Sequence, residues 1–554
     1  NILELRRELR LSYLPPLMVY MAYGISGLTS IVGVFFVKEY LDLSAEFLAA
    51  LMFWANIPWA LKMPMGHVVD LIWRFKSILV YIGASLIAAS LLIMIGLLSH
   101  PDAMRAVMPL SAWYVLSALL APVGYVIQDV VADAMTVEAV PRVDRQGKPI
   151  DPAKIRLMHT TMQTLGRVAV VAGGIFVAML NIYMFSGVDV MNEADKVAVY
   201  IDIFQLALVI PLVSVIGVGL GGYLKLRDAR RLQSQGHSWQ QAWHLVHGEV
   251  EKTAPNWFIL IGSLVFVAFT ISIGLSELPF REEIIFTGSM AIVVFLMTRL
   301  LKVLDDDARR VLVGTAIIIF VYRAMPSTGA GETWWMNDVL KFDQQFFSIL
   351  SLVAGGLALF GMFIFRRFMA EKSIAYIIGF LTIVGGLLFI PNIGMYYGVH
   401  EWTGAHTHGV VDARFIAIVS TAVESPLQQV AMIPMLAWIA NSAPAHLKAT
   451  FFAVMASFTN LALSLGQLGT KYVNQVYEVT REVKDQVTGI IETPADYSEL
   501  GLLFITVALV SVCLPLLAIF IVKKSPLRSA LNILKLSSRT SSPNETVISN
   551  LSLI

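Results

Sequence analysis

Six ionisable side chains lie in stretches of this chain that are otherwise too apolar to hold a charge: Lys62, Asp129, Asp133, Arg167, Arg323 and Glu424. A charge inside hydrocarbon is costly, so each such group needs a partner or a watery surface to face. Arg167, Arg323 and Lys62 have the chemistry to hold an anion, the two guanidinium groups by paired hydrogen bonds to a carboxylate. Glu424 is a carboxyl whose proton occupancy can be set by burial and neighbouring charge, which suits it to couple proton uptake to the movement of a solute. Asn56 and Asn460 offer neutral donors and acceptors, and Tyr125 offers a ring on which a planar group can stack. Tyr125, Asp129 and Asp133 recur at four-residue intervals, which places them on one face of a helix.

These groups must be positioned by elements that survive in lipid. The chain has 554 residues, 57% of them hydrophobic and only 14% charged, with a mean hydropathy of +0.72. A soluble domain of this size needs more charge to cover its surface. The apolar residues come in runs such as 77–98, long enough for a helix to cross about 30 Å of hydrocarbon. Backbone groups in lipid must be satisfied within the segment, and the ten-residue alternation of a membrane barrel is missing from the sequence. The reading is therefore an all-α polytopic membrane protein with about fourteen transmembrane helices. The expected spans are 16–37, 46–69, 77–98, 108–134, 156–184, 199–222, 256–276, 284–302, 309–328, 344–366, 373–396, 411–437, 446–472 and 500–522.

Lys and Arg concentrate in alternate connections, including Arg74, Lys76, Arg142, Arg145, Lys148, Lys154, Lys225, Arg227, Arg230 and Arg231. By the positive-inside rule both termini are expected in the cytoplasm, in an inner or plasma membrane. Counting about 1.5 Å per helical residue, Arg167 and Glu424 fall near mid-membrane, with Asn56 and Asn460 close by. Lys62 falls toward the cytoplasm and Arg323 toward the outside. Asp129 and Asp133 lie in the cytoplasmic half of their helix, where a gate paired with Arg142 or Lys154 is expected. The alternative for Arg167 is a permanent pair with a carboxylate that only holds the protein together.

Two echoes suggest duplication. Gly66-His-Val-Val-Asp70 before Arg74 is matched by Gly361 before Arg366-Arg367, and Gln128-Asp129-Val130 by Gln428-Gln429-Val430. The expected organisation is a six-helix bundle over 1–222, a cytoplasmic linker over 223–255 containing an amphipathic helix, an inserted hairpin over 256–302, a second six-helix bundle over 303–524, and a disordered tail over 525–554. Gly66 and Asp70 read as a latch, the glycine allowing close helix approach and the carboxylate reaching a neighbouring helix end or Arg. Residues 473–499 read as a polar external loop, and 1–12 as a basic interfacial stretch.

The sequence carries no constellation for an enzyme. No His, Cys and carboxylate set has metal-ligand spacing, no Gly-Lys-Ser/Thr loop cradles phosphate, and no nucleophile elbow occurs, so neither metal nor cofactor is expected. With a net charge of +1 there is no electrostatic case for nucleic acid. The lone Cys513 cannot form an internal disulfide. The glycine pairs 173–174, 355–356 and 385–386 suit close helix packing.

Several segments resemble the folate-biopterin transporter family of the major facilitator superfamily. IPWALKMPMGHVVD (57–70) is similar to that family's Pro-Trp-x-x-Lys-Pro-x-x-Gly-x-x-x-Asp pattern, with Met63 where the family has Pro. QDVVADAMTVE (128–138), IFVYRAMPSTGAGETWWMNDVLKF (319–342) and MIPMLAWIANSAPAHLKATFFAVMASFTNLA (432–462) are similar to further family segments. The last has Lys448 where an acidic residue is expected. The resemblance implies a major-facilitator fold and proton-coupled symport of folates or pterins, with the inserted hairpin added to the family's usual twelve spans. The competing expectations are a same-fold carrier of another cargo (a sugar-peptide, nucleoside or amphiphile) and a non-transporting scaffold for membrane complexes. Oligomeric state, direction of transport and coupling ion are not written in the residues.

Overall fold

The computed structural model describes residues 10–33, 43–60, 62–140, 150–188, 191–247, 257–274, 276, 278–302, 304–427, 430–432, 434–435, 448–484 and 491–527. The chain is helical nearly throughout. In order, the helices are α1 (Leu14–Ile25), α2 (Ala45–Ala60), α3 (Lys62–Leu71), α4 (Ser77–Ser99), α5 (Pro101–Val107), α6 (Leu110–Ala139), α7 (Pro152–Met184), α8 (Glu193–Ala207), α9 (Val209–Ser234) and α10 (Trp239–His247). Then come α11 (Trp257–Gly274), α12 (Arg281–Leu301), α13 (Asp306–Arg323), α14 (Ala330–Asp338), α15 (Gln344–Ile364), α16 (Arg366–Glu371), α17 (Ile374–Tyr396), α18 (Val399–His406), α19 (Ala413–Glu424), α20 (Lys448–Val476) and α21 (Leu500–Lys524). Among the described residues, eight helical segments are long and apolar enough to cross a membrane by length and composition. The protein is a multi-pass integral membrane protein.

A helix occupies each of the fourteen expected positions, and two of the six that are not among those eight stop short at or before a proline. The span expected over 46–69 is described as α2 and α3 on either side of residue 61, with Pro58 inside the first and Pro64 in the first turn of the second. Proline removes a backbone donor and clashes with the preceding turn. The span expected over 411–437 leaves α-geometry at Glu424 for a short 3-10 turn, Ser425–Leu427, at Pro426. α13 starts on charged residues and ends at Arg323, short of Pro326. α11, α12 and α20 also occur as helices. The sixth span continues as α9 to Ser234, twelve residues beyond its expected end. In the loop after α20, Val483–Lys484 (β1) pairs antiparallel with Ile491–Thr493 (β2), and Thr480 bridges Asp496.

The helices gather into two compact units, one formed by Asn1–Ser44, Trp54–Ser272 and Asn337–Gly355, the other by Ala45–Phe53, Ile273–Met336 and Gly356–Ile554. In the first, α4 and α6 touch backbone to backbone. A Cβ on Gly83 would lie 2.6 Å from the carbonyl oxygen of Gly124, and one on Gly124 would lie 2.6 Å from that of Gly83. α1 and α7 meet the same way at Gly24 and Gly173. Lipid tails give helices no hydrophobic reason to associate, so close approach at small residues and interhelical hydrogen bonds must supply it. Both are present: Ser90 donates to the carbonyl of Ser117 at 2.8 Å, and Gln128 donates to Val80 O while accepting from Ser214.

In the second unit the turn after α13 is stitched to α20. Ser327 N donates to Thr470 Oγ1 at 2.9 Å, and a Cβ on Gly466 would meet the carbonyl oxygen of Met325 at 2.9 Å. α12 is clamped to α20 by charge, with Lys471 at 3.4 Å from Glu282 and 3.3 Å from Glu283, and Tyr472 donating to Glu283.

Candidate functional site

Each unit carries a polar centre built on the predicted site residues. In the first, Lys62 lies on α3, opposite α6. Its ammonium lies 2.5 Å from Asp129 and 2.9 Å from Asp133. The two carboxylates are one turn apart on α6, so a single ammonium can bridge them. Tyr20 on α1 donates to Asp133 Oδ1 at 2.5 Å. The side chains of Lys62 and Asp129 are 21% and 15% exposed, whereas Asp133 is 42% exposed and opens the cluster on one side. Arg167 on α7 is exposed and lies within electrostatic reach of Asp129, Tyr20 and Tyr23. Among the described residues it makes no ion pair. One turn before Asp129, Tyr125 meets Tyr23 edge-on at 5.7 Å, and Tyr23 meets Trp59 at the same distance. An aromatic wall thus adjoins the charged cluster.

This arrangement alters two expectations. Asp129 and Asp133 are paired with Lys62; Arg142 and the side chain of Lys154 lie outside the described residues. Lys62, expected to hold a solute, is already clasped by two carboxylates. Two positive and two negative groups therefore balance, and Arg167 is the member left facing outward. The permanent ion pair offered as an alternative for Arg167 is not formed among the described residues.

The second unit is built differently. Arg323 is the last residue of α13 and is half-buried. Its Nε donates to the carbonyl of Thr459 at 3.1 Å, and one terminal nitrogen faces the thioethers of Met432 at 3.6 Å and Met435 at 3.8 Å. Thioether sulfur is a weak acceptor, so most of the guanidinium's donor capacity is unspent. No carboxylate among the described residues lies within ion-pair distance. Glu424, the last residue of α19, is exposed and within electrostatic reach of Tyr322 and Glu332. Glu332, on the short helix α14, is half-buried; it accepts a hydrogen bond from the Thr328 hydroxyl and a long one, 3.4 Å, from Asn392. No Lys or Arg among the described residues pairs with it. Asn392 follows Pro391 inside α17. Asn56 and Asn460 are half-buried, and each is engaged by a partner.

A third cluster closes the end of α6 just beyond its apolar span, which ends at Thr136. Glu138 receives Lys76 at 2.5 Å and Lys225 at 2.6 Å. Burial pushes the Glu138 carboxyl up, but the two ammonium groups outweigh it and hold the carboxyl below the ordinary glutamate value. Burial pulls the Lys76 ammonium down, against the opposing pull of Glu138.

The latch residues fare unevenly. A Cβ on Gly66 would meet open space among the described residues, whereas one on its counterpart Gly361 would sit 2.2 Å from the Pro426 carbonyl oxygen. The side chain of Asp70 lies outside the described residues, as do Gln428 and Gln429. Sequence reasoning passed over Glu332 and Glu138 and treated Lys76 and Lys225 only as loop charges. The available signal was positional: Glu138 closes the apolar run of α6, and Glu332 stands alone between two aromatic-rich stretches.

The sequence profile described as the BT1 family matches residues 23–533. A curated relative, the folate-biopterin transporter of Synechocystis sp., is 24% identical over 146 residues, 26% of this chain and 28% of that protein. The aligned part thus spans less than a third of that relative's length. Among solved structures, a POT family transporter in complex with 5-aminolevulinic acid superposes with a TM-score of 0.60 at 14% identity, covering 94% of this chain and 96% of the other. The nucleoside transporter NupG superposes with a TM-score of 0.50 at 14% identity, covering 92% and 99%. At such identity the likeness is one of fold, and it is the major-facilitator fold expected from the sequence.

Proposed function

The chain belongs to the BT1 family, and from that premise we propose that it is a secondary active transporter of a small anionic organic solute, folate- or pterin-like, working by alternating access with proton coupling. One observation carries the reading: two arginines, Arg167 and Arg323, are held in an otherwise apolar chain without a carboxylate partner among the described residues. Such a charge is expensive to keep and is retained where a ligand supplies the counter-charge. The relative named as a folate-biopterin transporter points to the same class of solute. In this reading Arg323 and Arg167 take the solute's carboxylates, with Asn56 and Asn460 as neutral partners. Tyr125, beside Tyr23 and Trp59, offers a planar pterin ring an edge or face. Lys62 holds Asp129 and Asp133 as a gate, with Gly66 and Asp70 in the connection that follows. Glu424, with Glu332 near it, takes and releases the coupled proton, since two neighbouring carboxyls with no cation between them favour sharing one.

The test is thermal unfolding of the purified protein against folates, pterins, nucleosides and sugar-peptides at two pH values. A ligand that binds only the folded state stabilises it by about 2.7 kcal/mol at roughly a hundredfold above Kd. Stabilisation by folates or pterins that is lost in Arg323→Ala is the expected result. Stabilisation by a nucleoside or sugar-peptide alone replaces the cargo. No stabilisation by any solute, with a membrane complex copurifying instead, replaces transport with the scaffold role.

A further inference from the structure

The helix α10 is built for a surface that the rest of the fold does not supply. α9 has 26 residues, a length of about 39 Å, against roughly 30 Å of hydrocarbon. Its last turns therefore emerge from the apolar layer, and they are basic: Arg227, Arg230 and Arg231 are exposed. Asp228 draws on two of them, Arg227 at 3.4 Å and Arg231 at 3.7 Å, and Arg230 has no ion pair among the described residues. After Ser234 the chain turns at Gly236, whose φ of +98° is open to glycine at little cost. α10 then packs against α9, with Ala242 wholly buried.

Flanking that packed face, α10 carries Trp239 and Trp243, one turn apart, 40% and 39% exposed, with ring centroids 5.5 Å from each other. Two large indoles on the outside of a short helix are poorly placed in water and well placed at a headgroup layer, where the ring is half-immersed and the N–H stays wet. The occupant follows from continuity and charge. α9 is itself a membrane-crossing helix, so the headgroups of the bilayer it crosses are the surface nearest its emergent end. The basic side chains there match anionic phosphates.

We propose that α10 and the last turns of α9 form a lipid-headgroup binding surface, with Trp239 and Trp243 in the interfacial layer and Arg230 and Arg231 on the phosphates of anionic lipids. Such a helix fixes the depth and tilt of α9 in the bilayer. This does not depend on what, if anything, the protein transports.

The experiment uses the full chain in nanodiscs of phosphatidylcholine, alone or mixed with phosphatidylglycerol. The first readout is the fluorescence lost in a Trp239→Phe, Trp243→Phe variant, measured with and without lipids brominated near the carbonyl. The second is backbone hydrogen exchange over 239–247. The lost emission is expected to be quenched by the bromines, and exchange to slow when phosphatidylglycerol is present. Arg230→Gln and Arg231→Gln should each cost about fivefold of that lipid-dependent protection, with exchange in α4 unchanged as the check on folding. Unquenched emission overturns the proposal, and so does protection that appears only when a soluble protein is added. Quenching without any dependence on phosphatidylglycerol overturns the assignment of the two arginines.

Discussion

In the first unit the ammonium of Lys62 is gripped by Asp129 at 2.5 Å and Asp133 at 2.9 Å, with Tyr20 closing the second carboxylate. In the second unit the guanidinium of Arg323 reaches only a backbone carbonyl and two thioethers, and Glu332 is held by a hydroxyl and a distant amide. Both centres are charged, yet only the first is electrically closed. A closed centre holds helices in register and loses stability when opened. An open one keeps donors and acceptors available for a solute or a proton. On the proposed function, the contrast separates charges that maintain the fold from charges that meet the solute and the proton.

The largest effect is expected from breaking the closed centre. Lys62→Ala strands two partly buried carboxylates and should lower stability by roughly 3 kcal/mol, read as thermal unfolding in detergent. Adding Asp133→Asn should restore part of it. If Lys62→Ala is neutral, the first centre is no more closed than the second. Next, Arg323→Ala should leave unfolding nearly unchanged while weakening the affinity for an anionic solute by about 2 kcal/mol, or roughly thirtyfold. A large loss of stability there would erase the contrast. Third, Glu332→Gln and Glu424→Gln should fold normally, because an amide at position 332 still accepts from Asn392 through its oxygen and can donate from its –NH2 to the Thr328 hydroxyl, and should flatten the pH dependence of uptake. The smallest effect concerns Glu138. Its folded carboxyl lies below the ordinary value of 4.5, so its stabilisation is complete above that pH and is lost as pH falls through the depressed folded value. Glu138→Gln should therefore cost about 1–2 kcal/mol near neutrality, with parent and variant converging as the medium is acidified below about 4.5. A difference that grows on acidification would contradict the ion triad.

Much of the fold is legible because lipid leaves the backbone few options. The runs 77–98, 373–396 and 500–522 appear as Ser77–Ser99, Ile374–Tyr396 and Leu500–Lys524, since an apolar stretch of that length must satisfy its own amides. Where proline intervenes, at Pro426, hydropathy alone reads through a break that backbone sterics impose. Of the glycine pairs, one member of each packs closely: Gly173 on α1, Gly355 on Ile175 and Gly386 on Val512. Which member does so depends on helix rotation, which composition does not encode. The same limit governs the charges. Depth counting put Lys62 and Asp129 at comparable levels but could not reveal that they face one another. Glu332 was overlooked because its partners lie four residues before it, at Thr328, and 60 residues after it, at Asn392, and become a set only in three dimensions.

The central claim is that the open centre serves an anionic cargo driven by protons. It is tested most directly by uptake of a radiolabelled pterin or folate into proteoliposomes carrying an inward proton gradient, with the parent beside Arg323→Ala. The account predicts accumulation above equilibrium by the parent, its collapse when the gradient is dissipated, and little accumulation by the variant. Accumulation that ignores the gradient and the substitution alike, or none at all by a correctly folded parent, would contradict it.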